Sequence, residues 1–380
     1  MKKLGKKVIF LTTGRSDYSL IKPLIMTKNK GFQSVLLITG SHFKKKLGYT
    51  YKKILRDKIY VNKKINLNII ENNTIDLINR NISNSLKKFS NILIKEKPDL
   101  VVVLGDRYET FAFTIACYTL NIPIAHIHGG EVTTGSLDDG FRHSISKLSK
   151  YHFVSHFSHK KRLERMGESA RHIYNVGALG VENISKIKFI KKKKIEKLLN
   201  IKFKKKNLLV CFHPNSKLND KNKIADELKQ LLKAIEYFNE INFIFTSPNA
   251  DPGNHKFISM IKSFVKNNKN CIFIANLGQD YLFSILRHSD GMLGNSSSGL
   301  IECPSFKKAT INLGSRQDGR IKAKSIIDSD IKKFKIIAAI KKIYKKNFKK
   351  ILKKSKNEYQ QKNTKKKIIS IISSNLNQIL

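Results

Sequence analysis

The sequence predicts a two-domain α/β protein built on parallel sheets. Three observations carry this. The chain has 380 residues, and domains usually run about 100–200 residues, so two is the expected number. Short apolar runs such as LVVVL (Leu100–Leu104) and LLVCF (Leu208–Phe212) are continuous rather than alternating, which suits strands buried on both faces. Longer amphipathic segments separate these runs, the βαβ pattern of a doubly wound sheet.

In chain order, the expected strands are Lys7–Leu11, Ser34–Thr39, Leu100–Leu104, Ile122–His126, His152–Val154, Leu208–Phe212, Phe243–Thr246, Cys271–Ile274, Gly291–Leu293 and Ala309–Leu313. Helical periodicity is clearest over Thr110–Leu120, Phe141–Lys150 and Ile224–Tyr237. The composition turns lysine-rich and weakly apolar over Asn183–Lys206. A domain boundary is expected just before it, giving domains 1–183 and 184–355. The remaining 356–380 is expected to be helical, and either ends the second domain or returns to pack on the first.

The formal net charge is +46, from 74 Lys+Arg against 28 Asp+Glu. That balance alone points to nucleic acid or a membrane surface. The lysines, however, are scattered over clusters such as Lys44–Lys46, Lys191–Lys194, Lys204–Lys206 and Lys365–Lys367. They are not interleaved with aromatics, as base-stacking platforms require. A solvated compositional bias is therefore expected, with neither nucleic acid nor membrane as partner. The four cysteines, Cys117, Cys211, Cys271 and Cys303, lack metal or redox spacing. Three lie in or beside apolar runs and read as core residues, which fits a reducing compartment, hence a cytoplasmic protein. The apolar run after the basic N-terminus is too short for a secretory segment and reads as the first strand. No stretch is long enough to span a bilayer.

In open parallel sheets, ligands bind beyond the carboxyl ends of the strands, and unusual polar clusters follow several of the apolar runs. The first is TTGRSDYS, Thr12–Ser19. There Arg15, near a helix N-terminus, can bridge to a diphosphate, or Asp17 or Ser16 can simply cap the helix. LGDRYE, Leu104–Glu109, places Asp106 and Arg107 beside a buried strand, where charges must be paired or functional. Here too Asp106 reads equally as a helix cap. The densest cluster is HIHGGEVTTGSLDDGFRHSISKL, His126–Leu148. Asp138 and Arg142, and likewise Asp139 and His143, are four apart, acid first, so each pair can share a helix face. Phe141, Ile145 and Leu148 supply an apolar stripe. His126 and His128 alternate along an extended segment, but no further ligand spacing supports zinc, and no metal is expected.

Further clusters lie in the second half. CFHPNSK, Cys211–Lys217, ends a strand with His213, either an edge histidine or a base or phosphate donor. In TSPNADPG, Thr246–Gly253, Asn249 contacts a ligand or shapes the turn. In LGNSSSGLIECP, Leu293–Pro304, hydroxyls and free N–H groups at a helix start form an anion site. Glu302, one to two turns into that helix, can accept from ribose hydroxyls. INLGSRQDGR, Ile311–Arg320, supplies Arg316 and Arg320.

The motifs GDRYE, HIHGGE, DDGFRH, HPNS, SPNADPG, GNSSSG and INLGSRQDGR occur in the order seen in the hydrolysing UDP-N-acetylglucosamine 2-epimerases of sialic and legionaminic acid synthesis, and the chain resembles that family over about Lys7 to Ile327. The resemblance implies a GT-B fold, two Rossmann-like domains with the active site in the cleft between them. It implies anti elimination of UDP to a 2-acetamidoglycal and hydration to a free N-acetylmannosamine-type sugar, without a cofactor. It also implies a homo-oligomer, dimer or tetramer. By motif, Asp106 and Asp138 are similar to the family's catalytic acids and bases, and Arg142 and His213 to their partners. Arg15, Ser19, Arg107, Asn249, Ser296, Ser297, Glu302 and Arg316 are similar to nucleotide contacts. Well-known members have a glutamate where this chain has His128. The proton abstraction then falls to Glu131, or to His128 itself, a residue type suited to general-base work. Non-hydrolysing epimerases share the fold but typically carry a His-Arg-Arg-Glu-Asn run where this chain reads HPNS. A GT-B glycosyltransferase is the other alternative, separated by whether free sugar and UDP form with no acceptor present.

Overall fold

The computed structural model describes residues 5–28, 31–44, 49–57, 59, 63–67, 75–134, 136–214, 221–248, 254–275 and 277–378. The chain divides into two compact units. Unit one comprises Met1–Glu131, Asp138–Glu182 and Gln361–Leu380, and unit two comprises Val132–Leu137 and Asn183–Gln360.

Unit one holds seven strands: β1 (Lys7–Thr12), β2 (Gln33–Ile38), β3 (Lys63–Lys64), β4 (Leu100–Leu104), β5 (Ile124–Ile127), β6 (Tyr151–Val154) and β7 (Ile173–Asn175). Their order is β3-β2-β1-β4-β5-β6-β7. All neighbours are parallel, with Ile9 opposite Val35 on one side and Val101 on the other. The continuous apolar runs have their expected cause. Val8 and Phe10 of β1 point into one core with Leu36, Leu100 and Phe153. Ile9 and Leu11 point into the other with Leu37, Phe89, Val101 and Phe113. Fully burying each such side chain contributes about 1.5–3 kcal/mol. The helix Thr364–Gln378 closes the first of these cores, packing Ile368, Ile369, Ile372 and Leu376 with Ile21, Leu24 and Ile25. It is tied down by Thr364 Oγ1 to Val176 O at 2.6 Å and Lys365 N to Glu182 Oε2 at 2.6 Å.

Unit two repeats the scheme with β8 (Lys206–Cys211), β9 (Ile241–Thr246), β10 (Cys271–Ile274), β11 (Gly291–Gly294), β12 (Ala309–Leu313) and β13 (Ile326–Ser329). The order is β10-β9-β8-β11-β12-β13, again all parallel. Leu208 and Val210 face one core while Leu209 and Cys211 face the other. All four cysteines are buried and free. In both sheets the order reverses direction at the first strand, so β1/β4 and β8/β11 are the switch points where doubly wound sheets take ligands.

The ten expected strands are present; β4, β10 and β12 have the expected ends, and the others differ by at most two residues at either end. Three more appear, β3, β7 and β13, each at a sheet edge. The helix expected after β11 is shorter than its sequence suggested. It spans Ser297–Ile301, and Glu302 is its C-terminal cap rather than a residue one to two turns inside. Pro304 lies in the 3₁₀ turn Cys303–Phe306 that follows, and proline cannot extend an α-helix ladder. Among the described residues no helix is long and apolar enough to cross a membrane.

Candidate active site

In unit one the charged residues gather past the ends of β4 and β5. Asp106 and Arg107 follow β4 and precede the helix Tyr108–Thr119. Arg107 Nε donates to Glu109 Oε2 at 3.2 Å, and Glu109 is 1% exposed in the first turn of that helix. His128 and Glu131 follow β5, and Asp138 opens the helix Asp138–Leu148, which carries Arg142.

Arg142 is 2% exposed. Its Nη2 donates to Asp106 Oδ2. Its Nη1 donates to Asp139 Oδ1 at 3.1 Å and to the Glu131 carbonyl at 3.2 Å. A buried guanidinium needs such partners, because an unpaired buried charge is costly. The sequence spacing suggested Asp138 as its helical partner. The fork instead joins Asp139, three residues back, and Asp106, thirty-six residues back, so it fixes the β4 loop to the helix. His143 Nε2 lies 3.9 Å from Asp139 Oδ2, and burial lowers its pKa.

The turn His128–Glu131 is held from beneath. His126, at 0% exposure on β5, bonds through Nε2 to Gly105 O at 2.8 Å and through Nδ1 to Ser146 Oγ at 3.1 Å. Burial pushes its imidazole down to about 3, so it is neutral at physiological pH. It serves as a strut rather than a metal ligand. Among the described residues no group of His, Cys, Asp and Glu side chains is arranged to hold a metal ion. Gly130 has φ 72°, and a Cβ there would sit 2.7 Å from the His159 carbonyl. Only glycine fits this turn comfortably. Arg162 Nη1 donates to Gly130 O at 3.0 Å. His128 Nδ1 lies 2.6 Å from Glu131 Oε1, which also accepts from Ser155 Oγ at 2.7 Å.

The β1 end is ordered by Asp17, which sequence reasoning had considered only as a cap. Its carboxylate accepts from Thr12 Oγ1 at 2.6 Å, Thr13 N at 2.8 Å, Thr13 Oγ1 at 2.7 Å and Gly14 N at 3.1 Å. Arg15 is the first residue of the helix Arg15–Ile25, and burial lowers its pKa. Ser19 Oγ donates to Arg15 O at 2.9 Å.

In unit two the ends of β8, β11 and β12 meet at Asn295. Its Oδ1 accepts from His213 N at 2.7 Å, and its Nδ2 donates to His213 O at 2.9 Å. Its carbonyl accepts from Arg316 Nη1 at 3.2 Å and Gln317 Nε2 at 2.8 Å. Gly294, at φ 140°, lets β11 pass directly against the Cys211 carbonyl, where a Cβ would collide. His213 is buried, and burial together with Arg316 pushes its imidazole down to about 3. It therefore donates or accepts a hydrogen bond as a neutral ring and supplies no positive charge. Ser296 caps the short helix without using its side chain. The hydroxyls of Ser296 and Ser297 have no hydrogen-bond partner among the described residues. In the same unit Arg320 Nη2 donates to Thr133 Oγ1 at 3.1 Å. Asn249 and the Asn215–Ser216 pair of HPNS lie outside the described residues.

The sequence thus marks the clusters, and Asp17 as a cap, but not the roles of Glu109, Ser155, Asn295 and Gln317. A signal existed for Asn295 and Glu109, polar residues directly beyond apolar runs. Ser155 likewise sits directly beyond β6, but nothing local pointed to its partner Glu131, twenty-four residues away.

The family model described as UDP-N-acetylglucosamine 2-epimerase matches residues 25–373. The chain is 36% identical over 329 residues to a GDP/UDP-N,N'-diacetylbacillosamine 2-epimerase (hydrolyzing) of Campylobacter jejuni, covering 86% of this chain and 85% of that protein. It is 35% identical over 370 residues to the polysialic acid biosynthesis protein P7 of Escherichia coli, covering 97% and 93%. Among solved structures it is similar to the UDP-GlcNAc 2-epimerase of Neisseria meningitidis bound to UDP-GlcNAc, with TM-score 0.80, 19% identity, and coverage of 97% and 100%. At that identity the structural likeness speaks for the fold.

Proposed function

Because the chain belongs to the UDP-N-acetylglucosamine 2-epimerase family, we propose that it is a hydrolysing UDP-sugar 2-epimerase, which converts a UDP-2-acetamido sugar to UDP and the free 2-epimeric sugar for nonulosonic acid synthesis. The observation that carries the chemistry is the gathering of Asp106, Asp139 and the Glu131 turn on one buried arginine, Arg142, beside Asp138.

Elimination removes the C2 proton and breaks the C1–O bond, leaving its electron pair on the diphosphate. Hydration then returns a proton to C2 from the other face and puts a water hydroxyl on C1. Two proton transfers on opposite faces need more than one acid–base group, and unit one supplies several. The departing diphosphate needs cationic and N–H donors. In unit two, Arg316, Ser296, Ser297 and the backbone N–H groups that start Ser297–Ile301 suit that role. Glu302, at the end of that turn, is assigned to the ribose hydroxyls. Arg15, Arg107, Ser19 and Asn249 complete the nucleotide contacts in this reading. His213, being neutral, is assigned a hydrogen bond to the sugar or phosphate rather than an ion pair. No cofactor takes part, and a cytoplasmic homo-oligomer acting without nucleic acid or membrane completes the assignment.

Two substrates fit the family. Relatives at 36% and 34% identity are named for N,N'-diacetylbacillosamine, and one at 28% is named for N-acetylglucosamine. The first is the better candidate on those names. The test is incubation with each UDP-sugar without acceptor, followed by NMR. Free 2-acetamido sugar and UDP are expected. Retention of the sugar on UDP with inverted C2 would make the protein a non-hydrolysing epimerase, and no turnover without an acceptor would make it a glycosyltransferase.

A further inference from the structure

His128 combines three unusual features. Its backbone sits at φ 67°, a left-handed conformation that is strained for a residue with a Cβ. Its Nδ1 lies 2.6 Å from Glu131 Oε1. Its Nε2 is buried and has no hydrogen-bond partner among the described residues. Backbone strain and unsatisfied buried polar atoms persist in native proteins chiefly where function requires them.

Glu131 is in turn fixed on every side. It is 3% exposed, its Oε1 accepts from Ser155 Oγ at 2.7 Å, and its carbonyl accepts from Arg142. Ser155 has one hydroxyl proton, which the carboxylate takes, so the His159 Nδ1 at 3.1 Å from Ser155 Oγ is the donor in that contact. A carboxylate only accepts, so His128 carries its proton on Nδ1. Nε2 is then the nitrogen with the available lone pair, and a carboxylate at Nδ1 stabilises the imidazolium that forms when Nε2 takes up a proton.

Resting on the family reading above, we propose that His128 Nε2 is the base that removes the C2 proton, and that Glu131 and Ser155 are positioning residues that hold its tautomer and ring plane. In the elimination the C2–H bond breaks, its proton moves to Nε2, C1=C2 forms, and the C1–O electron pair leaves with UDP. In the hydration a carboxylic acid gives its proton to C2 on the opposite face, water adds hydroxyl to C1, and the water's second proton restores the acid. The imidazolium releases its proton to solvent as UDP departs. One water is consumed and no redox partner is needed.

The decisive variant is His128→Asn. Asparagine tolerates φ near 67°, keeps a donor toward Glu131, and lacks Nε2. With full-length protein and the UDP-sugar that the wild type turns over, UDP release is expected to fall by at least about 100-fold. UDP binding by calorimetry, and hydration of separately supplied 2-acetamidoglycal in the presence of UDP, are expected to stay within about 3-fold, because neither uses Nε2 as base. Elimination within about 5-fold of wild type, or equal loss of both half-reactions, would overturn the assignment. An inert wild type overturns the family reading and this proposal with it. Ser155→Ala provides an independent check that leaves His128 in place. Losing one hydrogen bond to a charged group is expected to lower kcat about tenfold or more with KM unchanged. It should also raise the kinetic isotope effect on a C2-deuterated substrate, with Ser155→Thr restoring both. A Ser155→Ala enzyme with unchanged isotope effect would remove Glu131 and Ser155 from the positioning role.

Discussion

Unit one and unit two are built on the same strand order, yet their strand ends hold opposite kinds of polar group. Past β4 and β5, carboxylates outnumber cations, and two of them, Asp106 and Asp139, are bonded to one buried guanidinium. Past β8, β11 and β12, the organising group is a neutral amide, Asn295, surrounded by serines and Arg316. Both sheets present a switch point of the kind that binds ligands, so topology alone does not divide the work. The side chains do. A carboxylate cluster suits proton transfer and repels a diphosphate. An array of hydroxyls and N–H groups beside Arg316 suits the diphosphate and offers no strong base.

That division predicts how substitutions will separate. The largest effects belong to unit one. Asp106→Asn and Asp138→Asn are each expected to lower turnover at least about 100-fold, while UDP affinity stays within about 3-fold. UDP affinity measured by calorimetry decides this. If it falls in step with turnover, the carboxylates bind nucleotide and the division fails.

The next effect belongs to unit two. Arg316→Gln removes a charge-assisted donor, worth about 1.5–3 kcal/mol. KM for the UDP-sugar, and Kd for UDP, are expected to rise roughly 10- to 100-fold. Turnover at saturation is expected to change less than this. A variant with normal UDP affinity and poor turnover would put Arg316 on the chemical side.

How much of this contrast was legible beforehand follows from burial. Strands covered on both faces write themselves as continuous apolar runs, and β1, β4, β8 and β12 were readable for that reason. β3 reads KK, β7 reads IYN and β13 reads IIDS. These are short edge strands paired on one side only, so nothing forces an apolar signature. The clusters were readable because charges next to buried strands are expensive. Their wiring was not. Arg142 had a helical partner four residues away by spacing, but tertiary placement of the β4 loop brought Asp106 to it instead. The left-handed backbone at His128 leaves no mark in residue type, because histidine adopts that region only occasionally. Asn295 sat inside a quoted motif, yet its two bonds to His213 depend on β8 and β11 being neighbours.

The histidines test where the two units agree. His126 in unit one and His213 in unit two are both neutral, with pKa values near 3. Their folded values lie below the unfolded value of about 6.5. Stability is therefore whole above about pH 6.5 and is lost as pH falls toward 3, because the unfolded chain binds the proton first. At pH 5 each histidine costs about 2 kcal/mol. Denaturant unfolding at pH 7.5 and pH 5 should show this loss, and His126→Gln, which keeps a donor toward Gly105, should show less of it. A flat profile between those pH values would mean that the rings are hydrated in solution.

The smallest expected effects set like against like. Ser19 and Ser297 each lie in the first or second turn of a helix that follows a sheet strand. Ser19 donates to the Arg15 carbonyl within its own helix. Using its hydroxyl on a ligand would exchange one hydrogen bond for another, with little net gain. Ser297 has no such bond to give up. A ligand oxygen there gains a new hydrogen bond, worth about 0.5–1.5 kcal/mol. Ser297→Ala is therefore expected to raise KM for the UDP-sugar roughly 3- to 10-fold, and Ser19→Ala less than about 2-fold. Steady-state kinetics on the two alanine variants reads the difference directly. The reverse order would move part of the diphosphate site from the β11 end to the β1 end, and with it part of the contrast drawn between the units.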